Sequence, residues 1–332
     1  MSLFNLRRGL TALFVAALPT GVYAETPKEV RLDYAYYAPT SLVLKDQGIL
    51  EKQLAAQGIS VKWVFSQGSN RSLEYLNGGS IDFASTAGLA AVLSRANGSP
   101  VKTVYIASRP EWTALAVAKD SPIKTLADLK GKKIAATKGT DPYLFLLRSL
   151  QSVGLDKNDV EIVHLQHPDG RVALERGDVD AWSGLDPHLA ASQLQAGSRL
   201  LYRNVEFNSY GVLNVSDDFL KQQPKLIEQV IGAYEQARHW AVAHPQETAA
   251  LLAREAKLPL EVAKLQLSRT DFSNSLPGAE HIAALKAAAP ILLAEELVRP
   301  GTDVTATVDQ LIAPQLAANV IARQPLAKVA GQ

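Results

Sequence analysis

Cysteine is absent from this chain of 332 residues, and methionine occurs only once. Without cysteine the chain has no disulfide framework and no thiol that could carry a lipid anchor. Aromatic residues make up 7% of the sequence and charged residues 20%, whereas hydrophobic residues reach 47%. This composition is ordinary for a globular protein, and the length favours two domains or one large one.

Excess charge of one sign is also lacking, because the net charge is +1 with neutral histidines. Arg7 and Arg8 account for two of the 34 basic side chains, which leaves 32 against 33 acidic ones. No basic block and no basic stripe interleaved with aromatic residues occurs, so nucleic acid is not an expected partner. After the N-terminal segment no apolar run approaches the roughly eighteen residues of a membrane span.

Catalytic and metal-binding motifs are missing as well. The chain has no G-x-S-x-G elbow, no P-loop, no H-E-x-x-H and no glycine-rich dinucleotide fingerprint. Its six histidines do not cluster, and we interpret them, including His164 and His167, as solvated or internally satisfied. Asp82 and Asp180 each follow a glycine turn and precede a buried strand, which favours a structural role over a catalytic carboxylate pair. The sequence therefore predicts no enzyme activity, no metal and no cofactor.

The first 24 residues have the pattern of a cleavable signal peptide. Arg7 and Arg8 precede an apolar run from Leu10 to Leu18, and small residues follow up to Ala24. The run is too short to span a bilayer, and the arginines match a twin-arginine signal poorly, so we expect the general secretory route. We expect cleavage after Ala24 and a mature protein that is free in the periplasm of a Gram-negative cell.

The rest of the chain alternates strand and helix patterns before it becomes helical. The predicted strands cover 30–36, 59–65, 81–85, 101–107, 113–118, 132–137, 160–165, 179–182, 198–203 and 209–215. The predicted helices cover 41–56, 72–76, 86–96, 142–153, 172–175, 224–243, 245–257, 259–269, 279–298 and 304–318, and a further helix follows the loop 183–187.

One β–loop–α–β–α–β unit occurs twice in this order. The segments 78–86 and 176–184 share a G-x-[IV]-D core, and Asp82 and Asp180 are 98 positions apart. The repeat predicts an α/β fold with two lobes. We expect lobe one to contain 25–114 and 211–332, and lobe two to contain 115–210. Strands 198–203 and 209–215 are expected to return to lobe one, and crossings near 110–115 and 205–215 are expected to form a hinge.

Ligands of open α/β sheets bind beyond the carboxyl ends of the strands, where loops lead into helices. The repeat places four such loops, 37–41, 85–88, 138–143 and 183–187, around one cleft. Helix N-termini present free N–H groups to anions. Trp112 and Trp182 are either core residues or cleft-lining aromatics. The candidate ligand-binding residues are Thr40, Ser41, Thr86, Gly88, Trp112, Gly139, Thr140, Asp141, Tyr143, Trp182 and Asp186.

Several stretches resemble the periplasmic substrate-binding proteins of ABC importers for aliphatic sulfonates, taurine and nitrate. They are Asn77-Gly78-Gly79-Ser80-Ile81-Asp82, Lys119-Asp120-Ser121-Pro122-Ile123, Leu126 to Lys133, Lys138-Gly139-Thr140, Glu175 to Trp182, Asp186-Pro187 and Trp240-Ala241 with His244-Pro245. The resemblance covers most of residues 28–270. It implies the type II periplasmic-binding-protein fold, an aliphatic sulfonate as ligand, and delivery by a monomer to a membrane permease with its ATPase.

The chain departs from that family at two places. Where the family often has T-G-D-x-P-P, this chain has Thr86-Ala87-Gly88-Leu89-Ala90-Ala91, and Asp141 replaces a residue that is commonly Ser or Ala. A carboxylate at Asp141 either selects ligands by its charge or only caps the helix. Sulfate esters, taurine, nitrate and a pyrimidine precursor therefore stay open as ligands. Thiamin-pathway enzymes on this fold need a cysteine cluster, which this chain lacks.

Overall fold

The computed structural model describes residues 27–323. The expected signal peptide and its cleavage site lie outside the described residues. Within 27–323, no helix is long and apolar enough to cross a membrane.

Strands and helices alternate through the first two thirds of this range, and helices dominate the last third. The strands are β1 (Glu29–Tyr34), β2 (Ser60–Phe65), β3 (Ala84–Ala87), β4 (Val101–Pro110), β5 (Thr113–Val117), β6 (Lys133–Ala136), β7 (Glu161–His164), β8 (Ala181–Leu185), β9 (Arg199–Tyr202), β10 (Gly211–Ser216) and β11 (Thr270–Asp271). The helices are α1 (Pro39–Asp46), α2 (Ile49–Ala55), α3 (Ser69–Asn77), α4 (Gly88–Ala96), α5 (Asp141–Gln151), α6 (His167–Arg176), α7 (His188–Ala191), α8 (Asp217–Gln222), α9 (Pro224–Ala243), α10 (Pro245–Ala256), α11 (Leu260–Leu267), α12 (Ala279–Ala288), α13 (Pro290–Ala294), α14 (Val304–Leu311) and α15 (Gln315–Arg323).

The two lobes have the same strand order. In the first, β1 pairs in parallel with β2, and a parallel bridge from Leu32 to Phe83 places β1 beside β3. β10 then pairs antiparallel with β3 and β4, and β11 continues the edge. In the second, the order is β7-β6-β8-β5-β9, with β5 antiparallel to its neighbours β8 and β9. The chain segments that cross between the lobes thus supply one antiparallel strand to each sheet, β10 to the first and β5 to the second, and the short edge strand β11 of the first sheet is antiparallel as well.

Strand β9 corrects one of our expectations. We expected 198–203 to return to lobe one, but Arg199–Tyr202 pairs with β5 in the second sheet, and only β10 returns. The expected boundary between 114 and 115 falls inside β5, because this strand begins at Thr113. The crossing segments are therefore 111–112 and 203–210, just beyond the strands on either side.

Several helices differ from the sequence-based bounds for local reasons. The predicted helix 41–56 is divided into α1 and α2, because Gly48 adopts a left-handed conformation with φ +57°. Helices α3 and α6 begin earlier than expected, at Ser69 and His167. The predicted helices 279–298 and 304–318 are also divided, and Pro290 and Pro314 lie at the start of the second segments, where proline is tolerated.

The repeat extends to individual hydrogen bonds. The Asp82 carboxylate accepts from the backbone N–H of Arg31 at the start of β1, over 2.8 Å. Asp180 accepts in the same way from the N–H of Lys133 at the start of β6, over 2.9 Å. The preceding glycines, Gly79 and Gly177, both have positive φ. The structural role predicted for both aspartates is confirmed, since each carboxylate accepts a hydrogen bond from the backbone of an inner strand of its own lobe.

Candidate functional site

A small cleft lies where the carboxyl ends of the two sheets face each other. The lining residues follow β1 and β2 in one lobe and β7 and β8 in the other: Tyr36, Tyr37, Phe65, Ser66, Gln67, Pro168, Leu185, Asp186, Pro187 and His188. The cleft has a volume of about 100 Å³, the space of three or four water molecules. The lobes are therefore close together in this conformation, and the predicted loops 37–41 and 183–187 meet here.

A larger cavity of about 400 Å³ lies elsewhere, between α9, α10 and the segment after α11. Arg238, Val242, Thr248 and Phe272 are among its lining residues. All of its lining residues belong to lobe one. We therefore take the interlobe cleft as the candidate site, because both lobes contribute helix N-termini to it.

Asp141, the first residue of α5, does not face this cleft. It is 1% exposed, and three donors surround its carboxylate. The Trp112 indole Nε1–H donates over 2.9 Å, and the backbone N–H and hydroxyl of Ser209 donate over 2.8 Å each. Burial raises the pKa of Asp141, while the bonds from Ser209 and Trp112 oppose the rise. The carboxylate thus ties lobe two to both crossing segments, since Trp112 lies in one and Ser209 in the other.

Thr86 and Gly88 are hydrogen-bonded within lobe one, Gly88 to the second crossing and Thr86 to β10. The Gly88 N–H donates to the Tyr210 carbonyl over 2.8 Å, and the Leu89 N–H donates to the Ser209 hydroxyl over 3.1 Å. The Thr86 hydroxyl donates to the Ala87 carbonyl and accepts from the Asn214 amide on β10. The N-terminus of α4 is therefore capped by the protein itself, so the loop 85–88 offers no open anion site in this conformation.

The hydroxyl groups of Ser41 and Thr140, at the starts of α1 and α5, already donate hydrogen bonds within the protein. Ser41 donates to the Ala38 carbonyl over 2.7 Å, and Thr140 donates to the Thr137 carbonyl over 2.6 Å. Each hydroxyl has one proton, so neither can donate to an anion as well. Thr40 is 2% exposed at the start of α1, and Gly139, with φ +78°, precedes Thr140, the N-cap of α5. The backbone N–H groups of these first turns remain the main donors.

The three predicted aromatic residues are buried. The ring of Trp112 packs edge-on against Tyr37 at 5.8 Å between centroids, so it joins the first crossing to the cleft wall. Tyr143 packs against His164 at 5.6 Å and is 4% exposed. Trp182 does not line the cleft, because it is 0% exposed in a cluster with Leu174, Leu189 and alanines of β5. Its large side chain fills the space between β8 and α6.

Asp186 forms an ion pair between the two lobes. Its carboxylate lies 3.3 Å from the Arg269 guanidinium, which belongs to lobe one, and accepts the Ala190 N–H over 2.9 Å. Burial raises the pKa of Asp186 to about 6, although the charge of Arg269 lowers it. The ion pair is fully formed only above that pH. Asp186 therefore lines the cleft and also holds the two lobes together.

A buried carboxylate that the sequence did not single out fixes the wall of lobe one. Asp33 is 0% exposed and accepts from the hydroxyl groups of Ser66 and Ser72, over 2.7 Å each, and from the Ser85 N–H. Burial raises its pKa, and these bonds oppose the rise. The Tyr37 hydroxyl lies 3.2 Å from that of Ser66. This network holds the loop after β2 against the loop after β1.

Sequence reasoning also missed the loops after β2 and β7. His167 begins α6 and is 0% exposed, and its Nε2 atom has no hydrogen-bond partner among residues 27–323. Asn70, in the first turn of α3, has a buried Oδ1 atom that also lacks a hydrogen-bond partner among the described residues. Our interpretation of His167 as solvated or satisfied holds only in part, because the ring is buried and only its Nδ1 atom has a partner, the Thr137 hydroxyl at 3.1 Å. Residues 65–69 and 164–167 are also loops that lead from a strand end into a helix, so the expectation of a ligand site applies to them as well. Pro168, at the second position of α6, was the sequence signal for the start of that helix.

Metal binding is not supported by the described part of the chain, where no three His, Asp or Glu side chains are grouped as metal ligands. His188, which lines the cleft, is kept neutral because burial lowers its pKa to about 4, and burial lowers the pKa of the neighbouring His167 to about 3. The cleft histidine therefore brings no positive charge to the site.

Two lobes of equal strand order, connected by two crossings around a cleft, define the type II periplasmic-binding-protein fold. A solved structure supports this class directly. The alkanesulfonate-binding protein SsuA from Xanthomonas axonopodis pv. citri, bound to MOPS, matches with a TM-score of 0.79 and 26% identity. The match covers 87% of this chain and 99% of that one.

The chain belongs to the NMT1/THI5-like family, whose model matches residues 54–248. A relative from Escherichia coli K12, named an aliphatic sulfonates-binding protein, is 31% identical over 263 residues, which cover 79% of this chain and 82% of the relative. One of the same name from Bacillus subtilis 168 is 28% identical over 285 residues, covering 85% and 86%. These relatives are named as binding proteins rather than enzymes.

Proposed function

We propose that this chain is an exported solute-binding protein that captures an aliphatic sulfonate between its lobes and delivers it to an ABC importer. The observation that carries the proposal is the interlobe cleft, whose lining residues lie beside the starts of α1, α3, α6 and α7, in a chain whose relatives are named for sulfonate binding. In this proposal the chain has no catalytic role.

The chemistry of the cleft suits a sulfonate group. Such a group is a permanent monoanion with three acceptor oxygens, and first-turn N–H groups are donors without an intrahelical acceptor. We propose that Thr40, Gly139 and Thr140 contact the anion, mainly through their backbone N–H groups. Lys138 is exposed on the same loop and adds positive charge. Because the Asp141 carboxylate is directed at Trp112 and Ser209, it does not compete with the anion.

The remaining expectations are consistent with this role. We propose a signal peptide at 1–24, periplasmic location, and two lobes whose expected bounds, 25–114 with 211–332 and 115–210, move to the crossings at 111–112 and 203–210. A monomer would present the closed lobes to a membrane permease with its ATPase. Closure about the crossings 111–112 and 203–210 is the motion that such a division allows.

Calorimetric titration of the purified protein tests the proposal. We expect ethanesulfonate to bind at one site per chain, and propionate, a carboxylate of similar size, to bind at least about tenfold more weakly. The reason is that a planar carboxylate presents two oxygens where the helix starts can serve three. Tighter binding of nitrate, a sulfate ester or a pyrimidine, or no binding of ethanesulfonate by folded protein, would contradict it.

A further inference from the structure

Another cavity lies between the lobes, at the C-terminal end of α5, and has a volume of about 360 Å³. Arg148 and Gln151 of α5 line it from lobe two, Phe207 lines it from the second crossing, and residues of α12 and α13 line it from lobe one. None of its lining residues belongs to the interlobe cleft described above. Its volume falls in the range of sites that bind small organic molecules.

Arg148 places a rigid donor group on the wall of this cavity. Its guanidinium carbon lies 4.3 Å from the centre of the Phe207 ring, so the ring holds the plane of the guanidinium. One Nη1–H donates to the Glu206 carbonyl over 3.2 Å. A guanidinium has five N–H donors, and no acceptor within residues 27–323 receives the others.

The charge of Arg148 also has no carboxylate partner in the part of the chain that the structure describes. Asp141 and Glu206 are the acidic residues near enough to raise its pKa, but both are engaged elsewhere. Asp141 is buried with three donors of its own, and Glu206 pairs with Arg109 over 2.6 Å. Burial lowers the pKa of Arg148, and the charge of Asp141 opposes the fall. Because a guanidinium stays protonated in proteins, a half-buried positive charge borders the cavity without a counter-ion.

The wall that lobe one contributes is apolar. It contains Ala287, Pro290 and Ile291, and Arg148 is the one charged residue among the described residues that line the cavity. Ala287 and Pro290 are exposed, so the cavity is open to solvent. One guanidinium beside an apolar wall matches a monoanion with an apolar body. A carboxylate suits this donor group because it accepts two parallel N–H bonds from a guanidinium.

The shape of the cavity depends on how the lobes are arranged. Directly after α13, the Glu295 carbonyl accepts a hydrogen bond from Lys157 Nζ of lobe two over 2.6 Å. A rotation about the crossings would move α5 with one lobe and α12 and α13 with the other, and so change the spacing of the walls. A ligand that fits these walls therefore stabilises the arrangement of lobes in the structure.

We propose that this cavity is a second ligand site, which binds a small organic carboxylate with an apolar body on Arg148 and whose occupancy favours closed lobes. The site is separate from the interlobe cleft, so its existence does not depend on which ligand the cleft binds. By reciprocal linkage, a carboxylate bound here raises the affinity of the cleft for its own ligand, and the cleft ligand raises the affinity for the carboxylate by the same factor.

Titration of the purified protein with benzoate, followed by nuclear magnetic resonance, tests the site. We expect wild type to bind benzoate with a dissociation constant on the order of 1 mM. Benzamide has the same shape without the charge and is expected to bind at least about tenfold more weakly, because hydrogen bonds between charged groups are stronger.

Three variants locate the bound benzoate. Arg148→Gln is expected to weaken it at least about tenfold. Ala287→Leu fills the cavity from the other lobe and leaves Arg148 in place, and it is expected to weaken benzoate about fivefold or more. Arg176→Gln, at an exposed position at the end of α6, is the matched control and should leave the affinity unchanged.

Several results would overturn the proposal. They are no binding of benzoate by folded wild type at about 10 mM, and wild-type affinity in either Arg148→Gln or Ala287→Leu. A lower ethanesulfonate affinity in the presence of benzoate would place benzoate in the interlobe cleft and would overturn it as well.

The coupling between the two sites is measured by titrating ethanesulfonate with and without saturating benzoate. We expect benzoate to raise the ethanesulfonate affinity about fivefold, and Arg148→Gln to abolish this increase. An unchanged affinity would overturn the coupling to closure. If folded protein binds benzoate as expected but no sulfonate, the proposed function fails and the second site stands.

Discussion

Replacing Asp141 by alanine is expected to lower the free energy of unfolding by about 4 kcal/mol. The substitution removes the acceptor of three buried donors, the Trp112 indole N–H and the N–H and hydroxyl of Ser209. Hydrogen bonds to a charged group contribute about 1.5–3 kcal/mol each, and buried donors left unpaired add a penalty. Urea denaturation with an unchanged m-value would measure the loss.

Asp303→Ala is the matched control for this prediction. Asp303 is the N-cap of α14 and accepts a single bond, from the Ala306 N–H over 2.8 Å. Loss of such a cap costs about 1 kcal/mol. If Asp141→Ala were no more destabilising than Asp303→Ala, the carboxylate would act as an ordinary helix-start residue and not as the connection between the two crossings.

Replacing Trp182 by alanine is expected to cost about 3–5 kcal/mol, the range for deleting a large buried aromatic side chain. Gly170 and Gly184 pack directly on the indole, and a Cβ atom on Gly170 would lie 2.6 Å from its Nε1 atom. Thermal and urea unfolding would report the loss. Ethanesulfonate affinity of the folded fraction should stay within about twofold of wild type, because the indole is buried inside the second lobe and is not a lining residue of the cleft.

Trp63→Ala provides the comparison, since Trp63 is a partly exposed residue on the edge strand β2 and should cost less. A Trp182 variant that keeps its stability but loses ligand binding would contradict the core position. It would restore the cleft-lining alternative that the sequence left open.

The repeat was predictable because its signals are local. Glycine turns, the aspartates 82 and 180, and alternating strands all lie within a few residues of the elements they define. The sheet that strand 199–202 joins was not predictable, because its pairing with β5 depends on where the chain turns after α7. A pattern of alternating residues indicates a strand, but it does not say which sheet the strand joins.

The direction of the Asp141 carboxylate could not be read from its position either. Its partners are 29 residues before it and 68 residues after it, and they meet only in the folded chain. Trp182 is a similar case, since a tryptophan beside a cleft loop can face either side of a strand. By contrast, the loops containing Gly68 and His167 followed the rule we applied to the other four loops, so the sequence did contain their signal.

Closure of the lobes around a sulfonate is the central claim, and a distance measured between the lobes tests it most directly. The absence of cysteine permits a double variant, Glu74→Cys with Arg176→Cys, that carries spin labels on exposed positions of α3 and α6. Pulsed electron paramagnetic resonance then reports the distance between the labels. Saturating ethanesulfonate is expected to shorten and narrow that distance, and propionate at the same concentration is expected to shift it less. An unchanged distribution with bound ethanesulfonate would contradict capture between the lobes.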